Sequence, residues 1–204
     1  MTQAAEWQQQ NPGSQAMNPY IERIGFAVAG MTTPIRLQGS GTYVAHGGEK
    51  LIIDPGKDAG LQQFVNDLTE YVIQNRKDIS KSRAPLVKDF IYETVRYTEN
   101  KKEIYARGGG TAELGSFYQC RIAVCREMAA LNHVGLASQG KDNYMVTGHV
   151  AGGNHAWVEY FDTNTGQRMV SDATNGWILP ANEAYQFYGG HVLDIKKLQF
   201  VTPQ

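Results

Sequence analysis

The sequence predicts an α+β domain in which a buried, cysteine-bearing helix packs on an antiparallel sheet that carries a histidine and an aspartate. Three stretches indicate this arrangement. Residues 120–134 are apolar nearly all round and contain no Gly or Pro, 154–161 are aromatic and β-branched, and 168–174 form a second short run after a turn. A chain of 204 residues accommodates one such domain, with at most a small appendage.

The chain before this region divides into two parts. Residues 1–20 are rich in Gln and in turn formers, which is typical of a flexible arm. Residues 21–57 contain short β-like runs separated by glycines, and they predict an N-terminal β region that extends the main domain or forms a small appendage. The main domain is then expected over residues 58–204.

Two amphipathic helices are predicted before the cysteine helix. Apolar residues fall on one stripe after Gly60 and on another after Pro85, and proline suits the first turn of a helix. Both stripes are expected to face the core. A further short helix is expected over residues 182–188.

The predicted central helix begins at Cys120 and ends before Gly135, where a left-handed C-cap is expected. At a helix start, unpaired N–H groups and the macrodipole stabilise a thiolate. Cys120 is therefore the first-choice nucleophile.

The predicted hairpin supplies a base and a carboxylate. His155 lies on the strand at 154–161, the segment 162–167 has turn chemistry, and Asp172 lies on the returning strand. Folding the hairpin brings the two side chains within about two residues of register. A carboxylate in this place fixes the tautomer of the imidazole and stabilises imidazolium beside a thiolate.

These motifs resemble the transglutaminase-like superfamily, a papain-like group with a Cys–His–Asp triad. The similarity covers residues 115–174 and is carried by Cys120 through Gly135-Leu136, by His155-Ala156-Trp157-Val158-Glu159, and by Asp172-Ala173-Thr174. It implies a papain-like fold and a catalytic domain over 58–204. The implied reaction proceeds through an acyl-enzyme on a protein or peptide, as in a cysteine peptidase, a glutamine deamidase or a transglutaminase, and needs no cofactor.

Cys125 is the second-choice nucleophile. It lies about 140° from Cys120 round a continuous helix, so the two sulfurs cannot serve the same imidazole. The run from Cys125 to Leu131 is similar to a Cys-x-Asp/Glu-x-Ala-x-Leu variant of the same superfamily. Cys120 is preferred because Cys125 would lie inside the predicted helix, away from its free N–H groups.

The oxyanion of the acyl-transfer intermediate would be held by the N–H of Cys120 and a second donor, for which Gln119 and Tyr118 are candidates. Trp157 and Trp177 are candidates for the wall of the substrate groove. His149, six residues before His155, is an alternative base.

Two other functions stay open. Ala173, where the superfamily commonly has proline, and the lack of a glycine two residues before Cys120 favour an inactive binding module on the same fold. A zinc site built from Cys120, Cys125, His149 and His155 is less favoured, because two cysteines on opposite sides of one helix suit zinc poorly.

Composition and charge limit the partners and the cellular locations that we expect. A net charge of −1 gives no electrostatic reason to expect nucleic acid or a membrane as a partner, and no window approaches eighteen apolar residues. The N-terminus lacks the pattern of a signal peptide, so we expect a cytoplasmic protein or one secreted by a signal-independent route. By analogy alone, an effector or toxin acting on another protein fits this size. The oligomeric state is not indicated.

Overall fold

A computed structural model shows an α+β fold. The structure describes residues 20–23, 35–38, 41–44, 48–77, 82–99, 101–150 and 153–188. Within them, no helix is long and apolar enough to cross a membrane. The run from His191 to Val201 predicts a closing strand, but it lies outside the described residues, as does most of the arm at 1–20.

The main sheet has six strands in the order β1-β2-β8-β9-β10-β11, and every neighbouring pair is antiparallel. These strands are β1 (Tyr20–Arg23), β2 (Ile35–Gln38), β8 (Asn143–Val150), β9 (Gly153–Asp162), β10 (Gln167–Asp172) and β11 (Trp177–Pro180). The expected hairpin is confirmed as β9 and β10. Glycine and proline between Asn175 and Pro180 favour a loop, but Trp177–Pro180 form strand β11, which pairs with β10.

Two smaller sheets complete the β structure of the described residues. One contains β3 (Gly41–Val44), β4 (Lys50–Ile53) and β6 (Thr111–Glu113), and the other pairs β5 (Arg96–Tyr97) in parallel with β7 (Ile122–Ala123). The β region expected at 21–57 thus contributes strands to both the main sheet and the three-stranded sheet. Its status as an extension or an appendage stays a prediction.

Six helices surround the sheets in the described part of the chain. They are α1 (Ala59–Asn75), α2 (Ala84–Thr94), α3 (Lys102–Arg107), α4 (Leu114–Cys120), α5 (Cys125–Ser138) and α6 (Ala181–Phe187). The amphipathic helices predicted after Gly60 and Pro85 are confirmed as α1 and α2, and the short helix expected at 182–188 as α6. Asp58 caps α1 by accepting a hydrogen bond from the N–H of Leu61 at 3.1 Å.

The central helix does not begin where the sequence predicted. Helix α4 ends at Cys120, Arg121 takes a left-handed conformation with φ 57°, and β7 follows before α5 begins at Cys125. The interruption is held by β5, because the N–H of Arg96 donates to the carbonyl of Arg121 at 2.9 Å. Cys120 therefore lies at the end of one helix, and Cys125 lies at the start of the next.

Helix α5 is buried along most of its length, as predicted, and packs between the main sheet, α1 and α2. Gly135 is not its C-cap, because α5 continues to Ser138. A Cβ on Gly135 would lie 2.7 Å from Cγ1 of Val87, so this glycine allows α2 to approach closely. The core thus fixes α5 against the strands that carry the histidine and the aspartate.

Candidate active site

His155 and Asp172 form a hydrogen-bonded pair across the sheet, which we call the dyad. His155 lies on β9, and Asp172 ends β10. The Nε2 atom of His155 is 2.7 Å from Oδ2 of Asp172, and Asp172 is completely buried. A hydrogen bond at this distance between imidazole and a buried carboxylate orients the ring, because it commits Nε2 to the carboxylate.

The carboxylate of Asp172 accepts five hydrogen bonds. Its Oδ2 accepts hydrogen bonds from Nε2 of His155, from Nδ2 of Asn175 at 2.7 Å and from the hydroxyl of Tyr188 at 2.8 Å. Its Oδ1 receives the backbone N–H groups of Thr174 at 3.0 Å and Asn175 at 3.1 Å. These donors hold the carboxylate in one orientation and favour its charged form.

The surroundings shift the pKa values of both His155 and Asp172 in the direction that favours their charged forms. Burial alone lowers the pKa of His155, but hydrogen bonds to Asp172 and Cys125 and the charges of both outweigh it and raise that pKa to about 9. Burial alone raises the pKa of Asp172, but hydrogen bonds from His155, Tyr188 and Asn175 hold it below its usual range. The dyad is therefore an imidazolium–carboxylate pair at neutral pH.

Cys125 also lies close to His155. It is the first residue of α5, it is half-buried, and its Sγ is 4.0 Å from the carbonyl oxygen of Asn154, the residue before His155. The thiol is near enough to the imidazole to raise the pKa of His155, as a hydrogen-bonding group and by its charge. Because Nε2 is committed to Asp172, Nδ1 is the ring nitrogen left for the thiol.

A buried charged cluster fixes the start of α5 beside Cys125. The completely buried Glu127 accepts a hydrogen bond from the N–H of Val124 at 3.2 Å and another from Nε of Arg126 at 2.8 Å. It also accepts one from the hydroxyl of Tyr105 at 2.7 Å, while Arg126 pairs with Glu49 at 2.9 Å. Glu127 is at the third position of the helix, where a carboxylate reaches back to the N-cap N–H. The first turn that carries Cys125 is thereby anchored.

The structure does not bring Cys120 to the dyad. Its side chain is exposed at the end of α4, where it lines a surface pocket of about 390 Å³ together with Gln119 and Arg107. The position differs from the predicted one because β7 intervenes before the next helix begins. His155 is hydrogen-bonded to Asp172, and the cysteine that raises its pKa is Cys125.

The four candidates for the oxyanion donor or the groove occupy different places. Tyr118 is buried, and its hydroxyl donates to Asp67 at 2.6 Å. Trp157 is buried and stacks beside His155 with 6.0 Å between ring centroids. Trp177 is half-buried and packs on the ring of Tyr188. Gln119 lines the same surface pocket as Cys120.

Among the described residues, no group of three or more His, Cys, Asp or Glu side chains is arranged to hold a metal ion. Cys120 and Cys125 belong to different helices. The backbone of His149 lies on β8, while its side chain lies outside the described residues.

Sequence reasoning missed Tyr188, Asn175 and Glu127. Asn175 follows Asp172 by three residues, a spacing at which an amide side chain can fold back on a turn. Glu127 follows Val124 by three residues, as an N-terminal capping glutamate would. Nothing local marks Tyr188, because its contact with Asp172 depends on how α6 packs on the sheet.

No protein-family model matches this chain, and a search of curated proteins gives no match. Among solved structures, the chain is similar to one described as a "Putative Cysteine Protease from Cytophaga hutchinsonii", with a TM-score of 0.40 and 19% sequence identity. The match covers 61% of this chain and 47% of that one, so this chain spans about half the length of that protein. A match at this level does not assign the chain to a family.

Proposed function

We propose that this protein is a thiol-dependent acyltransferase or hydrolase whose nucleophile is Cys125, with His155 as its base and Asp172 as the residue that orients the base. One observation carries the proposal. A thiol at a helix start meets an imidazole that is hydrogen-bonded through Nε2 to a buried carboxylate. This is the arrangement that nucleophilic thiol chemistry requires.

Two features support a thiolate at Cys125 and an imidazolium at His155. The first N–H groups of α5 and its macrodipole stabilise negative charge on Sγ of Cys125. The carboxylate of Asp172 stabilises positive charge on the ring of His155. Cys120 lacks the first feature, because it ends a helix, where the macrodipole is unfavourable to an anion.

The reaction would begin when the thiolate of Cys125 attacks the carbonyl carbon of an amide. A C–S bond forms, and the carbonyl π electrons move to oxygen, where the N–H of Cys125 at the start of α5 can stabilise them. The C–N bond then breaks as His155 gives its proton to the departing amine, which leaves an acyl-enzyme. A second nucleophile attacks the thioester, gives its proton to His155 and releases Cys125 as thiolate.

The second nucleophile determines the activity. Water gives a cysteine peptidase when the donor is a peptide bond, and a deamidase when the donor is a glutamine side chain. An amine gives a transglutaminase. All three activities pass through the same acyl-enzyme and take their acyl group from a protein or peptide. A protein or peptide is therefore the substrate class we propose.

An activated peptide p-nitrophenyl ester tests the proposal without the natural substrate. We expect a burst of p-nitrophenol close to one per chain and an acyl group on Cys125 in the mass spectrum. Cys120→Ser should retain both, and Cys125→Ser should lose both. Adding a primary amine or water alone as acceptor then separates transfer from hydrolysis.

Acylation of Cys120 instead would contradict the assignment of the nucleophile. No acylation of either cysteine, in a folded protein, would contradict catalysis and favour the binding module considered from the sequence.

A further inference from the structure

Tyr188 contacts both members of the dyad. Its hydroxyl donates to Oδ2 of Asp172 at 2.8 Å, the same oxygen that accepts His155 Nε2. Its ring meets the ring of His155 edge-on, with 5.4 Å between centroids and 64° between planes. One side chain thus fixes the carboxylate and borders the imidazole.

The hydroxyl of Tyr188 is the donor in its hydrogen bond with Asp172. Burial and the negative charge of Asp172 raise the pKa of Tyr188 far above its usual value, so the phenol stays protonated. Aromatic neighbours hold the ring in place. The centroids of Trp157 and Trp177 lie 5.1 Å and 5.4 Å from that of Tyr188.

We propose that Tyr188 is a positioning residue, which holds Asp172 in the orientation that keeps the imidazole of His155 aligned with Cys125. This inference rests on the proposed function, and it adds a residue that neither the triad nor the sequence motif contains. The contribution of Tyr188 is a hydrogen bond to a charged acceptor, which is stronger than one between neutral groups.

In the described part of the chain, charged groups approach this contact from β9 and from α2. His155 and Glu159 face it from β9, and Glu159 accepts a hydrogen bond from the hydroxyl of Tyr185. From α2, Lys88 pairs with Asp89 and donates to the carbonyl of Gly176 at 3.0 Å.

Tyr185, on α6, is a matched control for Tyr188, the residue that follows α6. It lies one turn before Tyr188 and also donates its hydroxyl to a buried carboxylate, but that carboxylate is Glu159 and not Asp172. Tyr185→Phe and Tyr188→Phe therefore each remove one tyrosine–carboxylate hydrogen bond and keep the ring. A purely structural role would give both variants the same phenotype.

The test is the pH profile of Cys125 alkylation by iodoacetamide in the wild-type protein and in both variants. When the hydrogen bond of Tyr188 is lost, Asp172 takes up a proton more readily, so the acid limb of the profile should move upward by about one pH unit, or about tenfold in rate on that limb. Tyr185→Phe should leave the limb in place. An unmoved limb in Tyr188→Phe, or equal movement in both variants, would overturn the proposal.

A second variant covers the case in which Tyr188→Phe does not fold. Fluorotyrosine introduced at position 188 keeps the shape and makes the hydroxyl a stronger donor, so the acid limb should move downward. Movement upward, or none, contradicts the role.

Failure of the proposed function would look different. In that case the wild-type thiol would show no enhanced alkylation at all. The role of Tyr188 is then decided by the Nε2 proton resonance of isotope-labelled His155, which reports protonation of Asp172 without any thiol chemistry. Its midpoint should rise in Tyr188→Phe and stay unchanged in Tyr185→Phe, and the reverse would reject the role.

Discussion

The dyad should make the stability of the fold depend on pH in a defined window. The pKa of His155 is raised to about 9 in the folded chain, against about 6.5 in the unfolded chain. The folded state therefore holds a proton that the unfolded state releases. The stabilisation is complete below about pH 6.5 and is lost as the pH rises through about 9.

The size of this effect follows from the difference between the two pKa values. At about 1.4 kcal/mol per pH unit, it is on the order of 3 kcal/mol. The assay is urea unfolding of the wild-type protein and of His155→Gln, which cannot bind the proton, from about pH 6 to about pH 9.5. The difference in unfolding free energy between the two should shrink by about that amount across the window.

A control distinguishes the effect of Cys125 on the pKa of His155 from the effect of Asp172. The same comparison in a Cys125→Ser background removes the contribution of the thiol and leaves that of Asp172. In the Cys125→Ser background, where no thiol proton can offset that of His155, a difference in unfolding free energy that stays constant over the window would refute the reasoning, because it would mean that His155 titrates alike in both states.

Two further perturbations test the packing that positions the site. Glu127→Gln should destabilise the fold by about 3 kcal/mol or more in urea unfolding, because it leaves the buried charge of Arg126 without its closest partner, and a loss below about 1 kcal/mol would show that the cluster does not anchor α5. Gly135→Ala should cost about 1–3 kcal/mol, seen as a lower melting temperature, because the new Cβ meets Val87, and an unchanged melting temperature would show that α2 can move away.

The hairpin was predictable because its signals are local. Alternating aromatic and β-branched residues mark β9, and turn residues at 162–167 fix the reversal, so the cross-strand approach of His155 and Asp172 follows within two residues. The stripes of α1 and α2 are equally local. Each depends on the spacing of side chains within one element.

The start of the cysteine helix was not predictable in the same way. Residues 121–124 have no strong helix breaker, and the strand at Ile122–Ala123 depends on pairing with β5, some 25 residues earlier in the sequence. Tertiary pairing therefore overrides helix propensity at this point. Tertiary packing also brings Tyr188 into place, because its hydrogen bond joins the residue after α6 to the end of β10.

The most direct test of the central claim is residue-resolved alkylation. The wild-type protein is treated with iodoacetamide at about pH 6, well below the solution pKa of a free thiol of about 8.5, and each cysteine is quantified by mass spectrometry. Exposure alone favours Cys120, since it is exposed and Cys125 is half-buried. We predict that Cys125 nevertheless reacts at least about tenfold faster, and that His155→Ala removes the difference. Faster reaction of Cys120, or a rate at Cys125 that does not depend on His155, would contradict the account.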